Sequence, residues 1–190
     1  DFDTMQPIPG GKPLNEILAP FEKAGKLEDL RAYLVARSAA DRIKLGQETG
    51  FDPADIRVTL DTYNPQPEFV RAAEAVRAYE DSLLNYAEKE GMFSKEQVAA
   101  MRERHPNHIP FMRVIESEDP GGQVGANQKF ANVGSPIKRA KGSAREIIDP
   151  LESLVKETYT ILSAVDRNEV GRKLVDLAES TEGMGKYVEK

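Results

Sequence analysis

The 190-residue chain contains no cysteine and no tryptophan. Without thiols it can form no disulfide, bind no metal through thiolate and use no cysteine nucleophile. The redox compartment stays open, since a chain without cysteine is compatible with any. Histidine is nearly as scarce, with only His105 and His108. That leaves little material for imidazole catalysis or a histidine-rich metal centre. Long apolar runs are missing too: mean hydropathy is -0.53, and no stretch approaches the roughly 18 residues that cross a bilayer. The net charge of -6 makes the chain as a whole repel nucleic acids and acidic membranes, so such binding would need a local basic patch. Nothing resembles a signal peptide. The first residue is Asp1 rather than Met, as expected of a segment cut from a longer polypeptide.

What is present is helical periodicity. Charged residues make up 31% of the chain and apolar ones 39%, a balance that suits exposed helices better than a thick core. After a Pro- and Gly-bearing lead-in from Asp1 to Lys12, a short helix is expected from Leu14, bent or ended by Pro20. Leu27, Leu30, Leu34, Ala36, Ala40 and Ile43 recur at near-helical spacing and predict a helix from Lys26 to about Glu48, closed by Gly50. Asp52-Pro53 reads as an N-cap followed by the first residue of a short helix to about Leu60.

The clearest pattern runs from Pro67 to Glu90. Phe69, Ala72, Val76, Tyr79, Leu83 and Tyr86 are separated by alternating steps of three and four, which puts them on one stripe. Phe69, Val76, Tyr79, Leu83 and Tyr86 are therefore the candidate packing or interface residues, and the Lys26–Glu48 helix is the expected antiparallel partner. Ser94 and Gln97 have capping-box spacing, with Phe93 and Val98 placed as a hydrophobic staple. That helix should stop near Arg104, before Pro106.

Residues 106–142 change texture. Ile109 to Ile115 is the best strand candidate, or an extended segment lying over the helices. Glu116 to Ser135 reads as a loop. Asp149-Pro150 then caps a long helix through Leu151, Leu154, Thr158, Ile161, Leu162 and Val165 to about Ser180, with Gly171 as a weak or close-packed point. The expected organisation is thus an all-α bundle on a long antiparallel hairpin. It comprises an N-terminal helical region (1–105), an extended and loop region (106–142), and a C-terminal helix with tail (143–190).

Few constellations carry chemistry. His105 and His108 could be a metal pair or an acid/base couple, but Pro106 breaks the helix that would align them and no third ligand is fixed by spacing. They read as a polar turn. Gly121, Gly122 and Gly125 lack the Lys-Ser/Thr pair of a phosphate loop. Glu116, Glu118 and Asp119 lack EF-hand spacing. Lys138, Arg139, Lys141 and Arg145 form the one basic cluster and the candidate phosphate contact, though without aromatics for base stacking. No cofactor site, metal set or catalytic residue is assigned.

The segments Ile109-Pro110-Phe111-Met112-Arg113-Val114 and Ala131-Asn132-Val133-Gly134-Ser135-Pro136-Ile137-Lys138-Arg139 carry a resemblance, joined by Gly142-Ser143, Ile147–Leu154 and Asp166–Arg172. Together they resemble a helical module of large polyvalent proteins of bacteriophages and integrated mobile elements, some of which are internal virion proteins delivered with the genome. The likeness spans roughly Ala32 to the C-terminus and departs from the group in a shorter, less glycine-pure loop after Asp119. It implies a non-enzymatic scaffolding or protein-contact role, in the virion interior or the host cytoplasm. Implied partners are other segments of the parent protein, virion proteins or a second copy, with weak nucleic-acid contact through the basic cluster as the alternative. A hydrolase fragment is a further alternative.

Overall fold

The computed structural model describes residues 12–110 and 149–181. These contain six helices and, among the described residues, no strand: α1 (Leu14–Lys23), α2 (Leu27–Lys44), α3 (Pro53–Tyr63), α4 (Pro67–Lys89), α5 (Lys95–Arg104) and α6 (Pro150–Ser180). The all-α bundle expected from periodicity is what forms. Among the described residues, no helix is long and apolar enough to cross a membrane.

Local chemistry sets most boundaries. Asp52 and Asp149 each accept a hydrogen bond from the backbone two residues on, at 2.8 Å, with proline in the first turn behind them. Ser94 and Gln97 close both arms of the capping box, at 3.2 and 2.7 Å, and Phe93 and Val98 are both buried in one apolar cluster. α1 continues through Pro20 to Lys23, since burial of Ile17 and Phe21 holds the turns on either side of the missing donor. α2 stops earlier than Gly50. Gly46 takes φ +69°, its N–H bonds to the Ile43 carbonyl and that of Gln47 reaches back to Arg42, both at 2.9 Å. This left-handed closure uses the first glycine the chain offers.

Helix direction follows from which residues meet. α3 runs back along α2: Ile56 packs with Ala36 and Ala39, while Tyr63 donates to Asp29 at 2.8 Å. The antiparallel hairpin is therefore α2–α3, and α4 is not its second arm as the stripe suggested. α4 instead runs parallel to α2, with Lys26 paired to Glu68 at 3.5 Å and Leu34 lying near Val76 further on. The physical reason is length: the 11-residue α3 provides the return stroke. α5 turns back on α4, Arg102 meeting Asp81 at 2.8 Å. α6 again runs parallel to α4, with Tyr79 beside Thr158 (3.1 Å) and Asn168 donating to the Glu90 carbonyl (3.3 Å).

Three apolar clusters hold this together. The main one joins Ile17 and Phe21 of α1, Leu30, Tyr33 and Leu34 of α2, Phe69, Ala72, Ala73 and Val76 of α4, Ile109, and Leu151 and Leu154 of α6. A second joins Leu83 and Ala87 of α4 to Val98 of α5 and Ile161 and Val165 of α6. The third is the α2–α3 contact. Of the stripe residues, Phe69, Val76 and Leu83 are buried, and Tyr79 and Tyr86 are partly so. They serve contacts within the chain.

Candidate functional site

Between the two larger clusters the α4 stripe carries a residue that does not belong to an apolar row. Glu80 lies four residues after Val76 and three before Leu83, so helical geometry points it inward with them. It is only 5% exposed. On α6, Glu157 occupies the corresponding position, three after Leu154 and four before Ile161, and is half-buried.

The third member arrives on a strap. α5 ends at Arg104, with His105 as its cap, because Pro106 cannot continue it, and the His108 N–H closes a turn onto the His105 carbonyl at 3.2 Å. The strap is then tied to α2 and α4. Asp41 accepts from the backbone and side-chain amides of Asn107 at 3.0 and 2.8 Å, and Arg37 donates to the Asn107 side-chain oxygen Oδ1. Ser38 accepts from the Ile109 N–H at 3.4 Å, Arg42 donates to the Ile109 carbonyl at 3.3 Å, and Arg77 to that of His105 at 3.1 Å. Ile109 drops into the main core. Residues 109 and 110 are neither helix nor strand, so where it is described this segment lies over the helices. Its remainder is outside the described residues.

So held, His108 places Nδ1 3.3 Å from Glu80 Oε1. Glu80, His108 and Glu157 each offer a ligand atom, and the three atoms lie within 4.8 Å of one another. About a third of the imidazole (31%) meets solvent. Glu80 Oε2 is buried with no hydrogen-bond partner; the Arg77 guanidinium stands 3.9 Å from it.

The electrostatics follow from this crowding. Burial raises the Glu80 pKa, with Asp81 adding to the rise and His108 and Arg77 opposing it. Burial likewise raises Glu157, helped by Glu80 and opposed by His108 and Arg42. For His108 burial acts downward, but the hydrogen bond and charge of Glu80, with Glu157 behind it, carry the net shift upward. His105 is lowered, by burial first and then by His108, Arg42 and Arg104. Two carboxylates around one imidazole thus form a site that favours added positive charge, whether a proton or a cation. A cavity of about 20 Å³ adjoins it, lined among others by Leu34, Val76, Asn107 and His108. That is room for one water and not for a substrate.

The turn expected at His105–His108 is present, and of its two imidazoles only His108 reaches the acidic pair. Sequence reasoning missed Glu80 and Glu157. Their signal was a carboxylate interrupting an apolar row at core register, on two separate helices. The basic cluster Lys138, Arg139, Lys141 and Arg145, the acidic Glu116, Glu118 and Asp119, and Gly121, Gly122 and Gly125 lie outside the described residues. Compared with known proteins, the chain matches no family model, no curated protein and no solved structure.

Proposed function

We propose that the chain is a non-enzymatic helical module that docks a helix of another protein segment along the outer face of α6. The observation that carries this reading is the division of α6 into two apolar faces. Leu151, Leu154, Ile161 and Val165 are buried in the bundle, whereas Val155, Tyr159, Val170, Leu174 and Leu177 are exposed, Tyr159 by 74%. At 3.6 residues per turn those five fall within about 100° of one another, the width of an apolar stripe that faces a partner. The 4- and 3-residue steps from Val170 through Leu174 to Leu177 suit a helical partner, whose side chains would enter between successive turns.

The resemblance to modules of large phage and mobile-element proteins supplies the setting: the docked helix belongs to another segment of the parent protein or to a companion virion protein. Replacing Val170, Leu174 and Leu177 with glutamate should leave helicity and Tm nearly unchanged while abolishing capture of parent-protein segments. Capture that survives the triple change, or parent segments that never bind the unaltered chain, would remove the proposal.

A further inference from the structure

We propose that Glu80, His108 and Glu157 bind one divalent transition-metal ion, of which zinc is the type, clamping the strap between α4 and α6. The site is assembled from three separate elements, and its geometry is close to what such an ion needs. Any three atoms no more than 4.8 Å apart share a point within about 2.8 Å of all three, against about 2.0–2.2 Å for zinc bound to nitrogen or carboxylate oxygen. Inward shifts of under ~1 Å per side chain complete the set.

A second observation points to a ligand. The Glu80 carboxylate is buried, faces the other two groups, and keeps one oxygen without a hydrogen-bond donor. Native interiors rarely leave a buried carboxylate oxygen so, and a bound cation is a standard remedy. Charge also balances. With His108 neutral, the two carboxylates carry two negative charges, matched by a divalent ion. The Arg77 guanidinium stands 3.9 Å from Glu80 Oε2, beyond hydrogen-bond reach, and donates instead to the His105 carbonyl while pairing with Asp81 at 3.4 Å. One imidazole with two carboxylates selects zinc, cobalt or manganese over magnesium, which prefers oxygen alone and sheds water reluctantly.

The test uses the chain free of affinity tags and stripped with EDTA. Titration with cobalt(II) should give visible ligand-field absorption that saturates at one equivalent and is bleached by zinc. Zinc at about a hundredfold excess over its Kd should raise Tm by roughly 5–10 °C, and magnesium should not. His108→Ala and Glu157→Gln should each weaken cobalt binding at least about a hundredfold, while His105→Ala retains it. Glu157 is half-buried, so Glu157→Gln keeps the test interpretable if changes at buried Glu80 unfold the chain; circular dichroism confirms that it is folded. Absence of one-to-one binding overturns the assignment. So does unchanged binding by folded Glu157→Gln, or an equal loss in His105→Ala, which would mark adventitious histidine coordination.

Discussion

Phe69 is the residue on which the central packing converges. The rings of Tyr63, Phe21 and Tyr33 stand 4.6, 5.0 and 6.0 Å from its own, and the Lys26 ammonium lies 5.8 Å from its face. Phe69→Ala should therefore cost about 3–5 kcal/mol, measured by urea unfolding. Tyr63 offers a finer probe. Its hydroxyl donates to Asp29, and that bond, then burial and the Asp29 charge, raises its pKa above 10.0. A raised folded pKa means stability that is fully present below the unfolded value and lost as pH climbs through the folded one. Tyr63→Phe should accordingly cost about 0.5–1 kcal/mol at neutral pH, with a gap that narrows in strongly alkaline buffer. A gap that widens there would reverse the sign of this argument.

Among the helices, what could be read from sequence was what local chemistry decides. Asp52-Pro53, Asp149-Pro150 and Ser94–Gln97 fix helix starts through bonds spanning two or three residues, and each start falls where the residues said. The α2 stop was misread because two glycines compete there, Gly46 and Gly50, both with positive φ in the structure. Periodicity announces that a stripe exists without naming the helix that covers it, which is why α4 was paired antiparallel to α2. For the same reason Glu80 and Glu157 could be seen only as interruptions, since their meeting depends on helices about eighty residues apart in sequence. Gly171 settles differently from one expectation: nothing lies within 4 Å of where its Cβ would be, so close packing does not require it. Gly171→Ala should stabilise α6 by about 0.5–1 kcal/mol in thermal unfolding. At Gly91 the opposite holds, with φ +69° and an added Cβ 2.9 Å from Arg172 Nη1. Gly91→Ala should destabilise by about 1 kcal/mol on the same measurement.

At the level of the molecule, α6 is no appendage. Leu151 and Leu154 belong to the same cluster as residues from α1, α2 and α4, and Ile161 and Val165 to that of α4 and α5. Leu154→Ala should therefore cost about 2–5 kcal/mol and lower a single cooperative transition, seen alike by far-ultraviolet circular dichroism and tyrosine fluorescence. Two separated transitions would instead mean that α6 melts on its own. The shared direction of α2, α4 and α6 has an electrical consequence. The peptide dipoles of these three add rather than cancel, and the shorter, oppositely directed α3 and α5 offset only part of the sum. The side chains oppose that field: Glu28, Asp29, Glu68 and Glu152 stand at the starts, and Arg42, Lys44 and Lys89 at the finishes. Dissolved salt weakens that compensation, so the fold should lose a little stability as ionic strength rises.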